Sequence, residues 1–305
     1  MTNVQIDDER AVDLASLGMS NYAVAKEMGC DEASVRRALN RVGFKRHLIP
    51  VDLETRFSFD LDQPLVLKDT DAMVTADWHI PVYDAGYVNE MILTARDEGI
   101  RTLIVAGDFF NFDALSAYDP KQSDADLARE YHEGLAVMRT LGESFDDIYY
   151  LWGNHDARLH KALGYAMRFR DAMKMVFGAL GSDLLKKMQF TNLDHMWVEF
   201  EGQKWPWYIC HPATYTRNPL TNARKIAAKQ NANVICAHSH HAAIGYAEDG
   251  EKVVVEAGGF HDKRKTAYLQ RSTTYPTWQQ GYGWFKSGRF HLTTPEWQNG
   301  IGRSA

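Results

Sequence analysis

The chain has 305 residues, 45% hydrophobic and 24% charged, an ordinary globular composition that excludes a disordered or low-complexity protein. Its net charge of −6 gives no global attraction for polyanions. Three cysteines, Cys30, Cys210 and Cys236, are too few for a disulfide framework. The sequence shows neither a basic-then-apolar leader nor an apolar run of the roughly 20 residues a bilayer needs. The expectation is a cytoplasmic protein without membrane association.

Residues 1–47 read as a small helical domain. Asp7–Leu17 carries Ala11, Leu14 and Leu17 on one helical face, and Gly18-Met19-Ser20 interrupts it. Ser20 is placed to cap a short helix ending at Met28, with Gly29 as the turn. Asp31 is placed to cap a third helix to about Val42, where Gly43 stops it. Ala25, Gly29 and Val35 have the spacing of a helix-turn-helix: a small residue, a turn glycine and an aliphatic residue. Arg36, Arg37, Arg41, Lys45 and Arg46 put five positive charges between 36 and 46 with no acid among them. Segments 1–50 balance overall, seven basic against seven acidic side chains, so the charge is segregated, as on a phosphate-facing edge. These five residues are the candidate DNA contacts, and a homodimer is a corollary, because one helix in one groove binds weakly.

Residues 48–70 read as a linker, with Pro50, Pro64 and scattered acids. From Asp71 the pattern is βαβ: strands at Ala72–Ala76, Leu103–Ala106 and Ile148–Trp152, with helices at Tyr87–Glu98 and Asp124–Leu141 between them. The chain then reads helical to about Phe177 and as a strand over Phe190–Phe200. Strands at Trp207–Cys210 and Val234–Ala237 flank a helix near Leu220–Gln230, and Val253–Ala257 is a further strand. The expected fold is α/β, two stacked mixed sheets flanked by helices, spanning residues 71–265. Residues 266–305 form an aromatic-rich extension in which Gly283–Leu292 reads as a hairpin turning at Ser287-Gly288. Tyr275, Trp278, Tyr282, Trp284 and Phe285 are expected to cover a sheet edge or make a dimer contact rather than stack on bases.

Five motifs follow five of these strands in fixed order: Asp77-Trp78-His79, Gly107-Asp108-Phe109-Phe110-Asn111, Gly153-Asn154-His155-Asp156, His211-Pro212 and Ala237-His238-Ser239-His240. Strand ends are where open sheets place their ligands. Hydrolysis of a phosphate ester needs an activated water and charge relief on the phosphoryl oxygens, and two metal ions about 3.5–4 Å apart supply both. Such a pair needs a shared anion, and Asp108 is the natural bridge. Imidazoles and an amide favour borderline ions such as Mn, Fe, Zn, Ni or Co over Ca without choosing among them; the expected cofactor is two divalent ions, Mn first among these. Cys210 and Cys236 are expected to be buried packing residues, and His261 is given no role.

This ordered set resembles the calcineurin-like metallophosphoesterase superfamily over roughly residues 72–260. The resemblance implies that Asp77, His79, Asp108 and His240 hold one metal, and that Asp108, Asn154, His211 and His238 hold the second. It further implies that His155 is the general acid, that Asp156 orients its ring and that Arg158 contacts phosphate. Ala237 stands where glycine is usual, which matters only if the backbone there needs φ > 0. Asn111 stands where many members carry Asp. The stretches Asn111–Ser116 and Gly153–Leu159 look most like bacteriophage-encoded members.

The function expected is therefore a dinuclear-metal phosphoesterase, most economically a phosphodiesterase or nuclease delivered to DNA by the N-terminal helices. Two alternatives stand beside it. One is a phosphomonoesterase with a docking N-terminal domain. The other is a DNA-binding regulator with a non-catalytic esterase domain.

Overall fold

The computed structural model describes residues 6–17, 19–45, 62–117, 126–265 and 278–295; Gly18, Arg46 and Tyr275 lie outside them. The chain divides into two compact units, Met1–Leu61 and Asp62–Ala305.

In the first unit three helices form where the caps place them. Helix α1 is Asp8–Ser16, and Asp7 accepts the amides of Glu9 and Arg10. Helix α2 is Asn21–Met28, capped by Ser20 through the Ala23 amide and closed by Gly29 in the left-handed region at φ 65°. Helix α3 is Glu32–Arg41, where Asp31 accepts the Ser34 amide at 2.8 Å. Ala11, Val24, Ala25, Val35, Ala38 and Leu39 make the core shared by the three helices. Arg36, Arg37, Arg41 and Lys45 are exposed. Arg41 pairs with Asp8 at 2.6 Å, and Arg37 donates to the Ser34 hydroxyl at 3.0 Å.

The second unit holds two six-stranded mixed sheets. Its strands are β1 Leu65–Lys68, β2 Ala72–Thr75, β3 Thr102–Ala106, β4 Asp147–Leu151, β5 Met188–Phe190 and β6 His195–Glu199. They continue as β7 Trp207–Cys210, β8 Asn233–Cys236, β9 Ala242–Tyr246, β10 Val253–Ala257, β11 Tyr282–Lys286 and β12 Arg289–Thr293. One sheet has the order β1-β6-β7-β8-β10-β9, the other β12-β11-β2-β3-β4-β5. β2 to β5 run parallel, as do β7, β8 and β10. Parallel strands covered on both faces read as apolar runs, and β2, β3, β7 and β8 are buried throughout.

Val74, Ile104 and Leu151 from one sheet meet Met196, Ile209, Ile235 and Val255 from the other in a shared core. Helices α4 (Ala85–Asp97) and α5 (Leu127–Ser144) cover the outer face of the β2–β5 sheet through Met91, Leu135, Met138 and Leu141. Three short helices, α6 (Asp156–Ala162), α7 (Phe169–Val176) and α8 (Ser182–Lys187), lead into β5. Helix α9 (Thr221–Gln230) covers the other sheet through Ala223 and Ala227. The architecture is the one the sequence predicts: two mixed sheets flanked by helices, with a small helical N-terminal unit.

Three local expectations change. Leu65–Lys68, inside the segment read as a linker, is a strand that pairs in parallel with β6. Phe190–Phe200 is two strands in different sheets, because the chain breaks after Phe190 and crosses over. Ala242–Tyr246 is an unforeseen edge strand. The hairpin forms as read, turning at Ser287 and Gly288 with φ of 48° and 77°, and its β11 adds to β2 with Tyr282 and Phe285 buried.

Candidate metal centre

The C-terminal ends of β2, β3, β4, β7 and β8 bring all seven candidate ligands together. Backbone bonds zip the first two loops: the amides of Trp78 and His79 both donate to the Asp108 carbonyl, at 2.9 and 3.0 Å. Asp77 and Asp108 are fully buried, and each divides its two oxygens the same way. Asp77 Oδ2 accepts the His238 amide at 2.9 Å, and Asp108 Oδ1 accepts the His155 amide at 2.7 Å. The remaining oxygens, Asp77 Oδ1 and Asp108 Oδ2, are buried and make no hydrogen bond.

Imidazoles surround those two oxygens. Asp77 Oδ1 lies 3.3 Å from His240 Nε2 and 3.8 Å from His79 Nε2. Asp108 Oδ2 lies 3.3 Å from His211 Nε2 and 4.0 Å from His79 Nε2. His79 and His240 face each other, Nε2 to Nε2, at 3.0 Å. Asn154 Oδ1 is 3.0 Å from His211 Nε2. Asp77 with His79 and His240, and Asp108 with His211 and His238, each gather ligand atoms within 4.8 Å of one another.

A buried carboxylate oxygen without a partner is costly. Two of them, aimed at convergent nitrogens, fit a pair of divalent cations. Asp108 would then be the shared ligand, because both His79 and His211 approach the same oxygen. The oxygen-plus-imidazole donor set suits borderline ions.

The loops are built tightly to make this possible. Asp77, His79, Asp108, His238 and His240 all have positive φ, between 51° and 75°, which costs about 1–3 kcal/mol each and marks sites where geometry outranks comfort. Ala237 is not among the positive-φ residues, so alanine in place of glycine there costs nothing. Gly153 is required, since a Cβ on it would overlap Asp108 Oδ1.

The charges suit cation capture. Burial, reinforced by His155 and His240, holds His79 well below the usual histidine range, so it is a neutral donor. Burial and the neighbouring His211 push His238 down to about 4. Burial opposes ionisation of Asp108, but the imidazoles around it win and hold its carboxyl well below the usual range. His211 is opposite: burial lowers it, yet the Asp108 carboxylate outweighs burial and raises it to about 10.

His155 is half-buried beside this centre, its ring 4.4 Å from that of His79. Its Nδ1 lies 2.9 Å from the Asn111 carbonyl oxygen, so Nδ1 donates and Nε2 is left for chemistry. The expectation that Asp156 orients this ring is corrected. Asp156 is fully buried and accepts instead from the Phe110 amide, the Gly153 amide and the Tyr150 hydroxyl, at 3.2, 3.2 and 3.0 Å. It ties the β3 loop to the β4 loop, and the ring is held by a main-chain oxygen. Arg158 donates to the same Asn111 oxygen at 2.8 Å and brings its other nitrogen to 3.4 Å from His155 Nε2, with Asp113 3.7 Å away.

Two residues given no catalytic part in the sequence line the centre. His261 is buried with its ring 4.7 Å from that of His240, and Trp278 lies 4.2 Å from His240 and 5.0 Å from His261. The signal for them is Gly258-Gly259 after β10: a Cβ on Gly259 would stand 2.8 Å from the Asp77 carbonyl oxygen, so this strand end must pass close to the first motif. Trp78 is core, stacked on Phe260 at 4.4 Å and donating to Thr75. Cys210 and Cys236 are buried free thiols 3.7 Å apart.

No protein-family model and no curated protein matches the chain. Among solved structures, similarity is found to Vps29 from Cryptosporidium parvum, at 11% identity over 73% of this chain and 95% of that one, TM-score 0.37. The YfcE phosphoesterase from E. coli matches at 12% identity over 71% and 88%, TM-score 0.37. A putative diadenosine tetraphosphatase matches at 13% identity over 76% and 98%, TM-score 0.33. Likenesses of this size assign no activity to the chain, which stands on its own geometry. No helix among the described residues is long and apolar enough to cross a membrane.

Proposed function

We propose that the protein is a dinuclear-metal phosphoesterase of the calcineurin-like type. One observation carries this: two buried carboxylates each spend one oxygen on a backbone amide and present the other, unpartnered, to converging imidazoles. Asp77, His79, Asp108 and His240 would hold one ion, and Asp108, Asn154, His211 and His238 the other. The ion pair, when bound, supplies an activated water and neutralises the phosphoryl oxygens.

The remaining steps belong to the chain. Burial holds His155 below the usual histidine range, Asp108 pulls it up and Arg158 pushes it down. The ring is therefore neutral until an anionic substrate beside Nε2 favours the imidazolium, whose extra proton is taken up from solvent at Nε2. Nε2 then passes that proton to the departing alkoxide, while the Asn111 carbonyl keeps Nδ1 in the donor tautomer. Arg158 contributes positive charge where the phosphoryl group meets His155.

The substrate proposed is a nucleic-acid phosphodiester, through the exposed cations Arg36, Arg37, Arg41 and Lys45 on and after α3, with Arg46 outside the described residues. The position of Arg158 favours a second reading, a phosphomonoester, whose extra negative charge it would meet. Labelled single- and double-stranded DNA and p-nitrophenyl phosphate, each with Mn and either wild type or His155→Ala, separate the two. DNA cleavage that the variant loses supports the nuclease. Monoester turnover with intact DNA moves the protein to the phosphatases and makes α3 a docking surface.

A further inference from the structure

We infer that Glu130 is a positioning residue for His155, acting through the single peptide group between Asn111 and Phe112. The inference rests on the phosphoesterase reading of the site and adds a residue from outside its five motifs. Glu130 sits in the first turn of α5, on the stripe that faces the core, and is 3% exposed. Among the described buried residues of that helix it alone is charged. Its carboxyl oxygen accepts the Phe112 amide. The carbonyl of that same peptide is the Asn111 oxygen, which receives His155 Nδ1 at 2.9 Å and Arg158 at 2.8 Å. One peptide plane is thus pinned at both ends, with Glu130 on its N–H and the two site residues on its C=O.

The pin has work to oppose. Phe112 has φ 46° and ψ 41°, left-handed backbone that a bulky side chain rarely adopts. Without an acceptor on its amide, rotation of this peptide would relieve that conformation. Rotation would also turn the carbonyl away and bring an N–H toward His155 Nδ1. An N–H there demands an accepting Nδ1, which moves the ring proton to Nε2 and bars the second proton from Nδ1, so Nε2–H remains the very weak acid of a neutral imidazole. Arg158 would lose its anchor in the same movement. A carboxyl buried at this position is costly unless it is used, and this is the use.

The role needs an acceptor, not a charge. Burial, only partly offset by the amides it accepts, raises Glu130 to about 8, so glutamine mimics its neutral form. The experiment compares wild type with Glu130→Gln and Glu130→Leu, reading kcat and KM on bis-p-nitrophenyl phosphate with Mn, bound metal, and the His155 ring nitrogens by 15N NMR. We expect Glu130→Gln to keep kcat within about threefold and the Nδ1–H tautomer. We expect Glu130→Leu to lose kcat by about 10–100-fold, the size of an outer-shell effect, with KM and metal content held and the tautomer shifted toward Nε2–H. Wild-type kcat and tautomer in Glu130→Leu overturn the inference, as does a loss in Glu130→Gln equal to that in Glu130→Leu. If leucine prevents folding, Glu130→Asp, which withdraws the acceptor, must show the tautomer shift; an unshifted ring overturns the inference. A wild type inactive on every ester defeats the phosphoesterase reading instead, while the NMR result still decides Glu130.

Discussion

His211 Nε2 stands 3.3 Å from Asp108 Oδ2 while both nitrogens of its ring have acceptors, the Ala106 carbonyl at 2.9 Å and Asn154 Oδ1 at 3.0 Å. An imidazole donating at both nitrogens is an imidazolium, in keeping with its elevation to about 10. The protein without metal thus holds a proton where the second ion is proposed to bind.

Metal uptake must displace that proton. At pH 7 His211 is charged, and a ligand histidine is neutral, so loading the site releases about one proton from it and affinity rises with pH up to about 10. Calorimetric Mn titrations in buffers of different ionisation enthalpy measure the release. Binding without proton release contradicts the assignment of His211.

Asp156 is expected to matter for stability before chemistry. Asp156→Ala removes three hydrogen bonds to buried partners, costing roughly 3 kcal/mol or more. Urea unfolding measures it. An unchanged midpoint with a selective loss of His155-dependent catalysis would restore the ring-orienting role that the geometry denies.

Glu130 gives a pH signature. Its folded value of about 8 lies above the 4.5 of a free side chain. Below about 4.5 both folded and unfolded chains hold the proton. Between 4.5 and 8 the unfolded chain releases it and the folded one keeps it, so stability falls as pH rises, by a few kcal/mol on the order of the shift. Glu130→Gln, which does not titrate, is expected to flatten this slope and to be more stable than wild type at pH 8–9. Parallel urea midpoints at pH 5 and 9 would contradict this.

The candidate ligand set was legible in the sequence because each proposed ligand sits at or just after the end of an apolar run. Strand and loop are then both local signals, and all seven ligands converge. Residues that act across the fold were not legible. Glu130 lies 18 residues from the amide it accepts and reads as one acid on an amphipathic helix. His261 and Trp278 reach the centre only because β10 and the segment before β11 pass beside Asp77. Asp156 follows His155 directly in sequence, yet the helix that begins there turns its carboxylate into the core. Strand β1 is four residues long and pairs with a partner about 130 positions away, so no local pattern announces it. Strand β9, Ala-Ala-Ile-Gly-Tyr, has one β-branched residue and a glycine, a composition poor in strand signals.

Mn-dependent hydrolysis of bis-p-nitrophenyl phosphate by wild type and Asp108→Asn, before and after EDTA, decides whether the site works as a dinuclear metal centre. Asp108 is proposed as the shared ligand, so the predicted result is wild-type turnover that EDTA abolishes and Mn restores, with at least about a 100-fold loss in the variant. Turnover indifferent to both EDTA and the substitution would contradict the two-metal account.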